Sequence, residues 1–93
     1  MNKVKLVSYV IAADEDLENI VAELPRHIEL TLQEEGCLAF EVTQDFKNRN
    51  KFNVYEEFTD QEAFEKHQAR ARSTRWAEVS KNLERHYHTQ EGF

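Results

Sequence analysis

The amino-acid sequence predicts an α+β domain in which helices cover one face of an antiparallel sheet. Segments rich in β-branched and aromatic residues are separated by segments whose apolar residues recur at the helical period. The chain has 93 residues, which is the size of one domain. The first strand segment is apolar at odd and even positions alike, as in a strand covered on both faces. We therefore expect a single domain over residues 1–93 that pairs with a second subunit through its sheet.

The first strand and the first helix come from the N-terminal part of the chain. Residues 4–11 predict a strand, and Asp14 is suited to cap the helix that follows. Pro25 has no amide proton to donate one turn back, so we expect a kink or a break there. The helix should resume to Glu35 and stop at Gly36. Its apolar residues recur near the helical period, at Leu17, Ile20, Val21, Leu24, Ile28 and Leu32.

A β-hairpin is expected next. Residues 37–44 and 51–58 predict two strands, and the polar segment between them predicts a turn. In the second strand, Glu56 lies among alternate apolar residues and so shares their face. The residues expected on the apolar face are Leu38, Phe40 and Val42 in one strand and Phe52, Val54 and Phe58 in the other.

The last third of the chain predicts two helices. Thr59 begins the pattern Thr-x-x-Glu of a capping box, followed by a helix with His67 on its inner side. Ser73 is expected to cap a shorter helix that carries Trp76. Residues 85–93 predict either a fourth strand or a tail. The order β-α-β-β-α-α-β is the split βαβ arrangement of a ferredoxin-like fold.

Composition and charge disfavour several classes of partner and cofactor. The net charge of −6 disfavours nucleic acid. No apolar stretch is long enough to span a membrane, and no secretory signal begins the sequence, so we expect a cytoplasmic protein. Cys37 is the single cysteine, and His86 and His88 have no evident third ligand, so no metal site is expected. Two distant glycines do not form a phosphate-binding loop, so no flavin or nicotinamide cofactor is expected.

Three sequence blocks in order carry a family resemblance. They are EEGCL followed by FEV at 34–42, FNVYEEF at 52–58, and DQEAFEKH at 60–67. They resemble the motifs EEGCLxYE, FxxYExW and S/D-xEAxxxH of the antibiotic biosynthesis monooxygenase family. The resemblance implies a dimeric α+β barrel with a cavity between sheet and helices. It also implies a range of activities, from cofactor-free oxygenation of aromatic polyketides and quinols to haem degradation and isomerisation of a phosphorylated sugar.

The sequence departs from that family in two places. Arg75 stands where many members have a second histidine, and Trp76 stands where they have a phenylalanine. The haem-degrading members use an Asn, a Trp and a His together, and this sequence does not match that set. Haem cleavage is therefore not expected.

The resemblance makes His67 the leading candidate for a catalytic residue. An imidazole titrates near neutrality and can accept a proton from a phenolic substrate. Glu56 could orient it by a hydrogen bond. The alternative interpretations are a buried histidine bonded to a backbone carbonyl, and a Glu56 that forms a salt bridge at the sheet edge.

A further set of residues is expected to line the substrate pocket. Trp76 has the size to form a wall, although its periodicity also fits a core position. Arg75 could grip an anionic substrate, or it could belong to a solvated face with its neighbouring arginines. Which strand face meets the cavity is not fixed by the sequence. The remaining pocket candidates have polar tips that need partners, and they are Tyr9, Asn53 and Tyr55.

The sequence thus favours a cofactor-independent monooxygenase that acts on a small hydroxylated aromatic compound or a quinol. Two alternatives stay open. One is an acid–base isomerase of a small phosphorylated metabolite, and the other is a non-catalytic dimeric domain that binds a small ligand.

Overall fold

A computed structural model describes residues 3–87 and confirms the α+β class. The sheet has four strands in the order β2-β3-β1-β4, and every neighbouring pair is antiparallel. This is the ferredoxin-like order that the sequence predicts. The elements are β1 (Val4–Ile11), α1 (Asp14–Leu32), β2 (Cys37–Gln44), β3 (Lys51–Phe58), α2 (Gln61–Arg72), α3 (Arg75–Val79) and β4 (Glu84–Tyr87).

Strand alternation gives the sheet two different faces. Val4 pairs with Phe58 and Val10 with Phe52 across β1 and β3, and these side chains lie on the helix side. Ile20 of α1 packs with Phe52 in the core and is almost fully buried. Burial of an aliphatic or aromatic side chain contributes about 1.5–3 kcal/mol, so this layer supplies much of the stability of the fold.

Helix α1 is one continuous helix, so of the kink or break expected at Pro25 the break is wrong. Pro25 lies inside it, and the hydrogen bond that Pro25 cannot make would have been accepted by Val21. Both residues are exposed, so water can satisfy the freed carbonyl group. The helix ends at Leu32 rather than Glu35, and its N-cap is Ala13, without a side-chain hydrogen bond.

The caps of the later helices also differ from expectation. Asp60, not Thr59, is the N-cap of α2, and its carboxylate accepts a hydrogen bond from the Ala63 amide at 2.8 Å. Ser73 ends α2 instead of starting α3, whose N-cap is Thr74. The competing cap residues are adjacent in the sequence, so composition alone did not separate them.

A β-bulge changes one expected core position. The pairing of β2 with β3 shifts between Cys37 and Ala39, and Leu38 is left 50% exposed. Phe40 returns to the helix side, where it is buried. The expectation that Leu38 shares a buried face with Phe40 is therefore wrong.

The fourth strand is present in the part of residues 85–93 that the structure describes. β4 pairs antiparallel with the second half of β1, with Ser8 opposite Tyr87. Residues 88–93, including His88, lie outside the described residues. Within residues 3–87, no helix is both long and apolar enough to cross a membrane.

Candidate active site

A cavity of about 390 Å³ lies between the helix-facing side of the sheet and the three helices. This volume lies within the range that small-molecule sites occupy. Strands β2 and β3 contribute aromatic side chains from below, and helices α1, α2 and α3 close it from above. The aromatic residues of its walls are Phe40, Phe52, Phe64, Trp76 and Tyr87, together with the imidazoles of His27 and His67.

His67 reaches the cavity from α2 and is held by a carboxylate. Its Nδ1 lies 2.9 Å from Oε1 of Glu34. Its ring also packs against Phe58, at 5.1 Å between ring centroids, and against Phe40, at 5.7 Å. The hydrogen bond fixes the rotation of the imidazole and the two aromatic rings fix its position. His67 is therefore a preorganised group.

Glu34 is itself fixed from two directions. Its other oxygen accepts a short hydrogen bond from Nε of Arg70, one turn after His67. Arg70 also donates to the hydroxyl of the fully buried Thr31, at 2.8 Å. Glu34 lies in the turn between α1 and β2, which ends at Gly36. Thus α1, α2 and this turn together position the carboxylate.

The turn depends on a close approach of two backbones. Gly36 has a φ of 92°, a conformation that residues with a Cβ rarely adopt. A Cβ atom placed there would lie 2.7 Å from the Cβ of Ala63 in α2. The Gly36 carbonyl accepts a hydrogen bond from the Thr59 amide at 2.8 Å. Glycine at this position therefore lets the turn carrying Glu34 pack directly on α2.

These contacts decide which nitrogen of His67 carries the proton. A carboxylate paired with a guanidinium only accepts hydrogen bonds, so Nδ1 of His67 must be the donor to Glu34. In the neutral ring, Nε2 then has a free lone pair. Burial lowers the pKa of His67, and Glu34 opposes this effect. The imidazole is therefore a neutral base at physiological pH.

Glu56 lies opposite that lone pair. Its Oε1 is 3.8 Å from Nε2 of His67, which is beyond hydrogen-bond distance but within reach of a shared proton after a small movement. Glu56 is 8% exposed. Burial raises its pKa to about 7, and the positive charge of Arg85 opposes the rise. A neutral imidazole and a carboxyl group that titrates near neutrality thus face each other in one cavity.

His27 is a second imidazole in the same cavity. It comes from α1, is 5% exposed, and stacks on Trp76 with ring centroids 4.5 Å apart and planes at 11°. Its ring centroid is 6.0 Å from that of His67. Burial lowers the pKa of His27 to about 3, helped by His67 when that ring is protonated and by the positive charges of Arg70 and Arg85. His27 is therefore neutral under ordinary conditions.

Three of the seven site residues that the sequence singled out line the cavity, and four do not. His67, Glu56 and Trp76 are brought together around the same space. Arg75 is not among the lining residues, and its side chain is 66% exposed and pairs with Glu23 at 3.4 Å.

The other pocket candidates lie on the opposite face of the sheet. Tyr9 stacks on His86 at 4.6 Å, and the Nδ2 group of Asn53 donates to Asp45 at 3.2 Å. The hydroxyl of Tyr55 donates to Glu57 at 2.6 Å. Because strand residues alternate between faces, the odd-numbered side chains of β1 and β3 point away from the cavity.

Sequence reasoning assigned no role to Glu34 or His27. Glu34 lies in the motif that carried the resemblance, next to the turn glycine, but a contact with a helix 33 residues later has no local signal. His27 did leave a signal, since it falls on the apolar side of α1 between the core residue Ile20 and the buried Thr31. A polar residue in such a stripe is a candidate for a buried functional group.

Among residues 3–87, no group of three or more His, Cys, Asp or Glu side chains is arranged to hold a metal ion. Glu34 and Glu56 lie on opposite sides of His67 rather than converging on one point.

Solved structures resemble the fold across nearly its whole length. A candidate antibiotic biosynthesis monooxygenase from Nitrosomonas europaea matches with a TM-score of 0.83 and 16% identity, covering 99% of this chain and 91% of that one. A protein from Pseudomonas aeruginosa matches with a TM-score of 0.79 and 22% identity over 97% of this chain and 95% of its own. A candidate monooxygenase of the same kind from Deinococcus radiodurans has a TM-score of 0.76 and 21% identity, covering 97% and 94%.

The solved structures show the fold, whereas sequence comparison identifies the family. No curated protein sequence is significantly similar to it. The family model described as antibiotic biosynthesis monooxygenase, however, matches residues 4–79, which include the first three strands and all three helices. The chain belongs to the antibiotic biosynthesis monooxygenase family.

Proposed function

We propose that this protein is a cofactor-independent monooxygenase that acts on a small hydroxylated aromatic compound or a quinol. The observation that carries the proposal is the arrangement around His67. A neutral imidazole is oriented by Glu34, turns its lone pair toward a buried carboxyl group, and lies in a cavity with aromatic walls. An aromatic substrate fits such walls, and its hydroxyl group supplies the proton that the imidazole can take.

The first step is proton transfer from the substrate hydroxyl to Nε2 of His67. The resulting imidazolium is stabilised by the Glu34 carboxylate at Nδ1, as a carboxylate stabilises the imidazolium of other acid–base pairs. Glu56 can take the same proton or share it with Nε2. Its elevated pKa makes it able to hold and return a proton near neutrality.

The substrate itself supplies the electrons in this proposal. The electron-rich anion reduces dioxygen. One oxygen atom forms a bond to a ring carbon, and the other leaves as water. For a quinol the balance is quinol plus dioxygen to hydroxyquinone plus water, with both electron pairs coming from the substrate. The protein residues supply binding, orientation and proton transfer.

The arginines of the cavity support one alternative. Arg72 and Arg85 both line the cavity, and guanidinium groups bind phosphate well. An isomerase of a small phosphorylated metabolite would use the same His67 and Glu56 to move a proton between carbons. A small phosphorylated metabolite, however, has no aromatic ring to pack against the aromatic walls of the cavity. The oxygenase is therefore our first proposal.

We also propose that the protein works as a homodimer joined through the sheet face opposite the helices. Val7 lies on that face and is 44% exposed, next to Tyr9 and Ile11 on the same strand. A second copy of the chain would cover this apolar strip. The cavity lies on the other side of the sheet, so each subunit would keep its own site.

The central experiment measures oxygen consumption with a dihydroxynaphthalene or a hydroquinone as substrate. His67→Ala should lower kcat by about a hundredfold to ten-thousandfold, as for other positioned acid–base groups. Glu34→Gln should act in the same direction with a smaller effect, because it orients the base without touching the substrate. The wild-type rate should rise with pH as the pair formed by His67 and Glu56 loses its proton.

A matched control removes an imidazole elsewhere. His86→Ala takes away the ring that stacks on Tyr9 on the opposite sheet face, and it should leave kcat unchanged. Circular dichroism of each variant checks that it is folded. A folded His67→Ala variant with the full rate and the same pH profile would contradict the assigned base. No oxygen uptake with any of these substrates would favour the isomerase or the binding domain.

A further inference from the structure

His27 is a polar group of the cavity that the proton-transfer scheme does not use. It is buried in the cavity wall, and its Nδ1 atom is shielded from solvent without a hydrogen-bond partner among residues 3–87. A buried polar atom without a partner is uncommon in folded proteins and calls for an explanation. His27 lies in the same cavity wall as His67, with the two ring centroids 6.0 Å apart.

The surroundings of His27 decide where its proton is. A buried N–H group without a partner is rarer than a buried acceptor without one, so Nδ1 is the bare nitrogen. In a neutral ring the proton is then on Nε2. Nε2 is not among the shielded unpartnered atoms, and His27 lines the cavity, so the N–H group is the accessible side of the ring.

Burial and the charges around His27 together keep the ring neutral. Burial is the main effect, and His67 and Arg70 from α2 and Arg85 from β4 add to it. Glu56 of β3 is the acidic group on the facing side of the cavity, and the elevated pKa of Glu56 limits its negative charge below neutral pH. His27 therefore does not compete with His67 for the substrate proton.

We propose that His27 is a neutral hydrogen-bond donor that binds the substrate oxygen through Nε2–H and stabilises the negative charge that forms there. This role rests on the proposed oxygenase function and deepens it. His67 takes the proton of the hydroxyl group, and His27 then holds the oxyanion. Trp76 keeps the imidazole plane fixed by stacking, so the donor is already oriented when the charge appears.

The role also restricts the substrate. A donor and a base on two sides of one oxygen select a compound whose hydroxyl group becomes an anion, such as a phenol or a quinol. The corresponding methyl ether has no proton for His67 to take, and its uncharged oxygen accepts a weaker hydrogen bond from His27 than a phenolate does.

The test uses the pair His27→Phe and His27→Gln. Phenylalanine keeps a flat ring against Trp76 but has no donor, whereas glutamine keeps an N–H donor without the ring. Binding of 4-nitrophenol is followed by its absorbance, which reports the phenolate directly. His27→Phe should weaken phenolate binding about tenfold or more, as expected for a hydrogen bond to a charged group. His27→Gln should retain part of it, and binding of 4-nitroanisole should differ much less among the three proteins, because its oxygen carries no charge.

Turnover and the state of the ring give two independent readouts. With an oxygenase substrate, His27→Phe should lower kcat while the pH at which the rate rises stays the same, because His27 does not titrate in that range. Nitrogen-15 correlation spectra of the wild-type protein should show His27 as a neutral ring protonated on Nε2 from pH 5 to 8.

Each failure has its own meaning. Phenolate binding that His27→Phe leaves intact, or a His27 ring protonated on Nδ1, overturns the donor role whatever the enzyme does. Absence of oxygen uptake with normal, His27-dependent phenolate binding instead overturns the oxygenase and leaves the donor in place.

Discussion

Burial changes the pKa values of individual residues in this protein. Glu56 and His27 are ordinary side chains whose pKa values move in opposite senses, to about 7 and about 3, because each loses water when the helices cover the sheet. In both cases the shift favours the uncharged form. The cavity thus favours the uncharged forms of Glu56 and His27 as long as no group of opposite charge is bound beside them.

The elevated pKa of Glu56 predicts a specific dependence of stability on pH. The folded protein holds this proton up to about pH 7, whereas the unfolded chain loses it near 4.5. Between these values the folded state binds more protons, so the free energy of unfolding falls as pH rises. Glu56→Gln removes this loss. The variant should be more stable than the wild type at pH 8, by up to roughly 3 kcal/mol, and nearly equal to it at pH 5.

Urea unfolding at the two pH values measures this difference directly. Glu41→Gln is a suitable control, since Glu41 is an exposed glutamate on the neighbouring strand β2. Its effect on stability should be small at both pH values. An advantage of Glu56→Gln that is the same at pH 5 and pH 8 would show that Glu56 is ionised throughout.

At the scale of secondary structure, the turn between α1 and β2 both packs on α2 and carries the carboxylate that orients His67. It brings Glu34 to His67 only because Gly36 allows the turn to touch α2. The packing of the turn on α2 and the orientation of His67 thus both depend on Gly36. A change in this turn should therefore affect both stability and activity.

Gly36→Ala tests that connection. The added Cβ meets Ala63 at 2.7 Å, and a φ of 92° is strained for alanine, so the variant should lose about 1–3 kcal/mol of stability. The turn must shift to relieve the contact, so kcat should fall as well. Thermal unfolding and oxygen uptake measure the two effects. Gln33→Ala, in the same turn but exposed, should change neither, and an active Gly36→Ala variant of normal stability would rule out the coupling.

The strands were predictable from the sequence, whereas the contacts of the site were not. Residues 4–11, 37–44 and 51–58 have the observed bounds because alternation is a local pattern. The continuity of α1 through Pro25 depended on the exposure of that face, which is a property of the folded protein. The partner of His67 is Glu34 instead of the expected Glu56, because the turn and α2 meet only in three dimensions.

At the scale of the whole molecule, the two faces of the sheet differ in what they carry. One face carries the cavity, and the other carries a mixed surface with Val7, Tyr9 and Ile11 along its central strand β1. The apolarity of β1 on both faces, which is visible in the sequence, is explained on the cavity side by the helices. On the other side it supports the proposed contact with a second copy.

Light scattering coupled to size-exclusion chromatography should give the mass of a dimer at micromolar concentration. Val7→Lys places a charge in the proposed interface and should shift the protein toward monomer, because an unpaired charge disfavours an apolar contact. Val21→Lys is the matched control, since Val21 is 47% exposed on the outer side of α1. A monomer mass for the wild type, or equal dimer mass for both variants, would contradict the interface.

The stacking of Trp76 on His27 has a practical consequence. The chain contains one tryptophan, and its indole forms part of the cavity wall. The intrinsic fluorescence of the protein therefore originates beside the site. A compound that enters the cavity changes the polarity and the quenching around this ring, so its arrival can be titrated optically without a label and without turnover. Libraries of phenols, quinols and sugar phosphates can thus be ranked by emission alone, before any reaction product is known.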